Sequence, residues 1–161
     1  MHFKTFGFFC CLTLSSFGSL AAYTPDQVKA VYLFRIANFI YWNNEQKMHS
    51  VDFCLPDNPE IKQILQSIVS GQTIRHLPLQ IRDNHCDIVF ISRKENLHYV
   101  SSASSHTVTI GDLERFTRYG GVIELYKEGG RIKPKINIDN IGDYTISSNL
   151  LRLAKLEGDQ R

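Results

Sequence analysis

The stretch Asp87-Ile88-Val89-Phe90-Ile91 decides the fold of this chain. Its last four residues are apolar, with no polar alternation, which is typical of a short strand that is covered on both faces. Strands of this kind lie inside parallel sheets, whose faces are packed with the helices that connect the strands. We therefore expect residues 87–91 to form a central parallel strand with helices on both sides of the sheet.

The segments around this strand alternate between helix and strand signals. Thr24-Pro25-Asp26-Gln27 combines an N-cap, a proline at the first helical position and a glutamine that completes a capping box, so a helix begins there. Further helices are predicted over 60–69, over 112–119 and after Ser147 or Ser148, and further strands over 50–55, 77–81 and 107–110. Residues 122–126 and 131–138, joined by Gly129-Gly130, predict a hairpin, and Pro134 favours an edge position for its second strand. This order predicts a single α/β domain of three layers, with a mostly parallel sheet flanked by helices and an antiparallel edge hairpin.

The first predicted helix lacks a full polar face. From Val28 to Trp42, 12 of 15 residues are apolar, and the exceptions are Lys29, Arg35 and Asn38. A helix with so little polar surface is either sandwiched in the core of its own domain or partly buried against another subunit. The second alternative predicts a homodimer that uses the apolar surface of this helix.

The N-terminal residues have the order of a secretory signal peptide. His2 and Lys4 precede an apolar run from Phe6 to Leu14, and small residues follow up to Ala21. The run is shorter than the roughly 20 apolar residues that span a bilayer, so an uncleaved membrane anchor is the weaker alternative. We expect residues 1–21 to be a cleaved signal peptide and residues 22–161 to form the exported α/β domain, with no direct membrane insertion.

The composition indicates a globular domain and disfavours nucleic-acid binding. Hydrophobic residues make up 43% and charged residues 21% of the chain, which is enough apolar material for an ordinary core. The full chain has 18 basic and 16 acidic residues, and Lys4 belongs to the predicted signal peptide. The exported domain is therefore nearly neutral and offers no field that would hold a polyanion.

No motif of a catalytic, cofactor or metal site is present in the sequence. It lacks the glycine-rich phosphate loop, the dinucleotide-binding fingerprint, the His-Glu-x-x-His zinc motif and the Gly-x-Ser-x-Gly elbow. The histidines that follow the predicted signal peptide have no metal-ligand spacing: His49, His76, His85, His98 and His106. We therefore predict that the protein is not an enzyme and needs neither a cofactor nor a metal.

Two cysteines, Cys54 and Cys86, follow the predicted signal peptide, whose apolar run contains Cys10 and Cys11. In an oxidising compartment an even number of cysteines favours a disulfide. Closing a loop of about 32 residues would stabilise the domain by roughly 3 to 4 kcal/mol. The alternative is a pair of buried free thiols, and the spacing matches no metal or Cys-x-x-Cys motif.

Two sets of residues are candidates for a ligand site. Gly111-Asp112 and Gly120-Gly121 lie beyond predicted strand ends, where open α/β sheets usually bind ligands. Arg131, Lys133 and Lys135 alternate along a predicted strand, so they would face an anion together. Turn geometry explains the glycines equally well, and a solvated edge that resists aggregation explains the basic row. From the residues alone, a binding module and an interaction protein both remain open.

A series of segments, in order along the chain, carries a resemblance to a known family. They are Val28-Lys29-Ala30-Val31-Tyr32-Leu33, Phe39-Ile40-Tyr41-Trp42, Cys54, Cys86 with Asp87-Ile88-Val89-Phe90-Ile91, Val108-Thr109-Ile110-Gly111-Asp112 with Phe116, Gly120-Gly121-Val122-Ile123-Glu124-Leu125, Ile136-Asn137-Ile138 and Ile146-Ser147-Ser148-Asn149-Leu150-Leu151-Arg152-Leu153-Ala154. Together they resemble the YfiR family of periplasmic proteins, over nearly the whole predicted mature chain.

The resemblance implies a function and partners. It implies a small periplasmic repressor that inhibits an inner-membrane diguanylate cyclase by binding the periplasmic sensor domain of that enzyme. Release under envelope or redox stress would then raise cyclic-di-GMP signalling and favour biofilm formation. The resemblance also implies a homodimer and a bridge between Cys54 and Cys86, with redox-dependent stability. The alternative is a periplasmic small-ligand-binding module with its ligand near Gly111 and Gly120.

Overall fold

The computed structural model, which describes residues 21–158, contains four α-helices and ten strands within that range. The helices are α1 (Pro25–Asn38), α2 (Pro59–Val69), α3 (His98–Ser101) and α4 (Ser148–Leu153). The strands are β1 (Ile40–Trp42), β2 (Val51–Cys54), β3 (Thr73–Ile74), β4 (Leu77–Ile81), β5 (Ile88–Ile91), β6 (Val108–Gly111), β7 (Ile123–Glu128), β8 (Arg131–Asn137), β9 (Tyr144–Ile146) and β10 (Lys155–Glu157). A short 3-10 helix, Phe116–Tyr119, lies between β6 and β7. The predicted signal peptide, residues 1–21, lies outside the described residues except for Ala21.

The prediction of a central parallel strand over 87–91 is confirmed, with the strand beginning at Ile88. Eight strands form one sheet in the order β10-β8-β7-β6-β5-β2-β4-β3, and β5 pairs in parallel with β2 and with β6. β4, β2, β5, β6 and β7 are parallel, and β8 turns back antiparallel to β7. β1 and β9 form a separate, two-stranded antiparallel sheet. The chain is therefore a single α/β domain with a mostly parallel sheet and an antiparallel hairpin.

Both faces of β5 are covered, which is why its sequence is a continuous apolar run. Ile88 and Phe90 belong to the large core that α1 and α2 cover, whereas Val89 and Ile91 belong to a smaller cluster around Phe116. All four side chains of β5 are at most 3% exposed. The sheet thus separates two layers, and on the smaller side the cover consists of short segments, namely α3 and the 3-10 helix.

Helix α1 begins as predicted but ends earlier. The Gln27 N–H donates to Thr24 Oγ1 at 3.2 Å and the Thr24 N–H donates to Gln27 Oε1 at 2.9 Å, so the capping box is complete. The helix ends at Asn38, and the continuation to Trp42 that the sequence predicts is wrong. Residues Ile40–Trp42 form β1 instead, and pairing with β9 buries Ile40 and Trp42 on one face while Tyr41 stays exposed.

The apolar composition of α1 is largely used within its own domain. The helix packs against α2 and against the base of the hairpin, and four of its residues are at most 1% exposed: Ala30, Leu33, Ile36 and Ala37. Burial inside the domain therefore explains most of the apolar composition of α1.

β7 and β8 form the predicted hairpin through Gly129 and Gly130. Both glycines have positive φ, at 57° and 75°, a conformation that other residues rarely adopt. β8 is not the edge of the sheet, because β10, which the sequence did not predict, pairs with residues 135–137. Pro134 lies just outside that paired stretch, where its missing N–H costs no bond to β10.

The segment after β6 differs from the prediction. A helix capped by Asp112 is expected over 112–119, but only Phe116–Tyr119 is helical, and Arg115 precedes it with φ at 65°. The Asp112 carboxylate accepts from Lys29 Nζ at 2.7 Å and so ties the end of β6 to α1. Gly120, at φ 93°, ends the turn as predicted.

Candidate functional site

The connection from β4 to β5 is the unusual part of the sheet. The two strands are parallel and lie on opposite sides of β2, yet only residues 82–87 join them. The Arg82 N–H donates to Phe53 O at 2.8 Å and the Asp87 N–H donates to Asp52 O at 2.9 Å, so both ends of this crossover are attached to β2. Six residues are too few for the usual helical crossover, so this connection passes directly over the face of β2.

Cys54 and Cys86 are joined at this crossing point. Cys54 is the last residue of β2, Cys86 belongs to the crossover, and their Cα atoms are 5.6 Å apart in the disulfide of the structure. The bond therefore fastens the crossover to the strand that it crosses. The pairing in the exported protein stays a prediction for experiment.

Asp87, next to the disulfide, connects three strands. The Asp52 N–H donates to its Oδ2 at 2.8 Å, and the Val108 N–H donates to its backbone carbonyl at 2.8 Å. Burial raises the pKa of the Asp87 carboxyl to about 6, although the bond from the Asp52 backbone and the charge of His106 act in the opposite direction. This acid is thus a poorly solvated charge at neutral pH.

A groove of about 540 Å³ opens over the disulfide. Its walls are the crossover, including His85, Cys86 and Asp87, and the segment after α3, including Ser102 and His106. We call it the crossover groove. Cys86 lines it and is half-buried, whereas Cys54 lies below it and is only 4% exposed.

The strand ends near Gly111 and Gly121 are filled by the protein itself. The ring of Phe116, which is fully buried, lies against both glycines, and a Cβ atom at Gly111 would be 2.6 Å from Phe116 Cδ2. The glycines are therefore needed for close packing of this ring. The space where the sequence places a small ligand is occupied at this point by a side chain.

The crevice between β2 and β5 is filled in a similar way. β4 and β5, which follow β2 along the chain, lie on opposite sides of it, so the strand order reverses here. Open α/β sheets usually bind ligands at such a switch point. The Asp57 carboxylate accepts the N–H groups of Ser92 and Arg93 at 2.9 to 3.2 Å and the Asn96 side chain at 3.0 Å. Backbone N–H groups that could bind an anion thus bind the protein's own carboxylate.

The basic row predicted on β8 is paired with carboxylates. Lys135 Nζ lies 3.0 Å from Glu124, which is 2% exposed, and Lys133 Nζ lies 2.6 Å from Glu128. Both acidic residues are on β7: Glu124 lies directly opposite Lys135, and Glu128 lies diagonally opposite Lys133. Arg131 is exposed near the turn. Ion pairs within the hairpin explain the row better than an external anion does.

A second groove, of about 750 Å³, lies beside the filled strand ends. It runs between the N-terminal half of α1 and the hairpin, with Val28 and Tyr32 on the helix and Leu125 and Ile132 on the strands. The Tyr32 hydroxyl donates to Ile132 O at 3.0 Å and holds the helix to β8. We call it the hairpin groove; its lining includes Asp112, next to the predicted ligand position.

Sequence reasoning missed Asp57, Asp87 and Phe116 as residues of the site. The local sequence Pro56-Asp57-Asn58-Pro59 is typical of a turn and a helix cap, and Asn58 does cap α2, but the partners of Asp57 lie 35 or more positions away. The one local signal was the pair of glycines flanking Phe116, since glycines before and after a large aromatic residue can indicate a ring packed on backbone.

These features define a class of protein: an α/β domain with a disulfide across its crossover and its own side chains in the strand-end crevices. Within residues 21–158, no group of three or more His, Cys, Asp and Glu side chains could hold a metal ion, and no helix has the length and hydrophobicity to cross a bilayer. A protein-family model described as YfiR/HmsC-like matches residues 26–155, and the chain belongs to this family. No curated protein matches the chain.

Membership in the family determines the general function. Its proteins are periplasmic regulators of diguanylate cyclases rather than enzymes, and they interact with a periplasmic region of a membrane-bound regulator. This chain is therefore a periplasmic regulator in cyclic-di-GMP signalling.

Proposed function

We propose that the protein binds the periplasmic sensor domain of an inner-membrane diguanylate cyclase and keeps the enzyme inactive. Membership in the YfiR/HmsC-like family carries this proposal. The filled crevices at Phe116 and Asp57 support it, because they remove two of the places where an α/β domain would bind a small molecule. The filled crevices therefore favour surface contact with a protein partner over ligand binding at these two places.

Inhibition of this kind needs a difference in affinity between two states of the partner. The protein must bind the inactive conformation of the cyclase more tightly than the active one, and about 1.4 kcal/mol of preference shifts that equilibrium tenfold. The nearly neutral domain offers little electrostatic steering, so an exposed apolar surface is expected to supply the contact energy.

The disulfide would couple the complex to the redox state of the envelope. Without the Cys54 to Cys86 bond, the crossover loses its covalent attachment to β2, and the folded, binding-competent population falls. Titration of thiols in the unfolded, unreduced protein isolated from the periplasm tests the first step, and we expect none. Two free thiols per chain would remove the redox part of the proposal.

The test of the regulatory function is a gene deletion with measurement of cellular cyclic-di-GMP and of surface attachment. We expect both to rise, and to return to the original level when the unmodified gene is restored. The strain must express a cyclase with a periplasmic domain. If both quantities stay unchanged under oxidising and reducing conditions, inhibition of a cyclase is not the function.

The hairpin groove favours a second candidate function, binding of a small ligand in the periplasm. Val28, Tyr32 and Ile132 give the groove apolar lining, and the Lys29–Asp112 ion pair adds charged groups to it. A screen of periplasmic metabolites by thermal shift would detect such a ligand. A hit whose stabilisation is lost in the Val28→Asp variant, at a half-buried position that lines the groove, would favour this candidate over the cyclase inhibitor.

A further inference from the structure

The two sulfur atoms of the disulfide differ in their accessibility. Cys54 ends a central strand, is 4% exposed and belongs to the buried cluster around Val89 and Ile91. Cys86 is half-buried, lies in a loop and lines the crossover groove. A reagent that enters the groove therefore meets Cys86 first.

We propose that thiol–disulfide exchange with this protein takes place at Cys86, through the crossover groove, with a dithiol as the reductant. Its thiolate attacks Cys86 Sγ, a new S–S bond forms there, and the electron pair of the old bond leaves on Cys54 Sγ. The second thiol of the reactant then attacks its own bonded sulfur and releases the Cys86 thiolate. Two electrons pass from the dithiol to the protein, the reactant leaves as a disulfide, and solvent supplies the protons.

At this bond, accessibility favours attack at Cys86, whereas leaving-group chemistry favours attack at Cys54. Attack at Cys86 makes the buried Cys54 the leaving group, and its apolar surroundings disfavour the negative charge of the departing thiolate, which slows this step. Attack at Cys54 would have the better leaving group, but requires an in-line approach to a sulfur beneath the crossover. Exchange therefore takes place at Cys86, where the step is slower but the sulfur is accessible, because the reactant cannot approach Cys54 Sγ.

The crossover would stay close to β2 after the bond is broken. The Arg82 and Asp87 N–H groups still donate to the carbonyls of β2, and the Thr107 hydroxyl donates to Cys86 O at 2.9 Å. These contacts hold Cys86 near Cys54, so the exchange is expected to be reversible. The proposal rests on the disulfide of the proposed function but not on the identity of its partner.

The first experiment identifies the sulfur that is attacked. The oxidised, folded protein is pulsed briefly with 2-mercaptoethanol, a neutral monothiol, and then quenched with N-ethylmaleimide in denaturant, digested and analysed by mass spectrometry. We expect the mercaptoethanol adduct on Cys86 and the maleimide on Cys54, in an excess of at least about tenfold. Equal amounts of the two adducts, or an excess of adduct on Cys54, would overturn the proposal.

The second experiment tests the groove with two neighbouring variants. The hydroxyls of Ser101 and Ser102 both donate to His98 O, and both residues are exposed, but of the two only Ser102 lines the groove. Ser102→Trp should slow reduction of the folded protein by about fivefold or more, and Ser101→Trp should leave the rate unchanged. Equal rates in both variants and the unmodified protein would exclude this route.

These measurements need no cyclase, so their outcome is independent of the cyclase hypothesis. Exchange at Cys86 in a protein whose deletion leaves cyclic-di-GMP unchanged would retain this inference and exclude the proposed function. Exchange at Cys54 in a protein whose deletion raises cyclic-di-GMP would exclude this inference and retain the proposed function.

Discussion

At the scale of single residues, Asp87 is the clearest case of a charge held in an unfavourable place. Burial raises its pKa from the ordinary value of 3.8 to about 6. The folded state therefore binds more protons than the unfolded state between these two values, and stability falls as the pH rises from about 4 to about 6. Asp87 is only half-buried, so we expect a loss of about 1 to 2 kcal/mol rather than the full shift.

The variant Asp87→Asn tests this pH dependence. The asparagine oxygen can still accept the Asp52 N–H, but the side chain cannot ionise. Urea unfolding at pH 4.5 and pH 7 should show no fall for the variant, and at pH 7 it should be as stable as the unmodified protein or more stable. Asp83→Asn is the matched control in the same loop: Asp83 is exposed, and the hydrogen bond from Lys62 lowers the pKa of its carboxyl. This control should retain the fall, and a similar fall in Asp87→Asn would contradict the assignment.

At the scale of elements, the junction of β6, the 3-10 helix and β7 depends on one ring between two glycines. Gly111→Ala places a Cβ atom 2.6 Å from the Phe116 ring, and overpacking of this kind typically costs about 1 to 3 kcal/mol. In a Phe116→Leu background the same substitution should cost much less, since the smaller side chain leaves room. Chemical denaturation of the two single variants and the double variant measures this coupling. Strictly additive effects on stability would show that the Phe116 ring does not restrict the side chain at position 111.

The disulfide also acts at the scale of elements, because it attaches the crossover to β2. Replacing Cys54 and Cys86 by serine should lower stability by about 2 to 5 kcal/mol and reduce accumulation in the periplasm. Unfolding of the oxidised, reduced and serine forms gives the comparison, and the reduced and serine forms should be similar. Equal stability of all three forms would contradict a structural role of the bond.

Most elements of the main sheet could be predicted from their own residues, whereas the short strands could not. The strand over 77–81 has the predicted bounds, and α2 differs from the prediction by one residue at its start. By contrast, β1, β3, β9 and β10 have two or three residues each, too few to show a period. They are strands only because tertiary packing brings partners to them.

At the scale of the whole molecule, the homodimer remains a prediction. Burial of α1 within its own domain leaves the half-buried Val28 and Val31 as the apolar surface that a partner could contact. Light scattering at micromolar concentration should give twice the mass of one chain, and Val31→Lys should reduce it to one. Leu153→Lys, at an exposed position on α4, is the control and should leave the dimer intact. A monomeric unmodified protein would contradict the prediction.

The sequence by itself determined the parts of this protein that depend on neighbouring residues. The covered strand follows from the four apolar residues 88–91, the start of α1 from the capping box at Thr24, and the hairpin from Gly129-Gly130. In each case the physical cause acts within a few positions along the chain, through periodic burial, a cap or a backbone conformation.

Only the tertiary structure decided what lies at the crossover and the strand ends. The Asp57 carboxylate meets the N–H groups of Ser92 and Arg93, and Arg75 donates to Glu45 across 30 positions while its own φ is 45°. Such contacts depend on which strands are neighbours in the sheet, and strand order is a property of the whole chain rather than of any segment. For the same physical reason, the crossover groove and the unequal access to Cys54 and Cys86 become visible only in the folded domain.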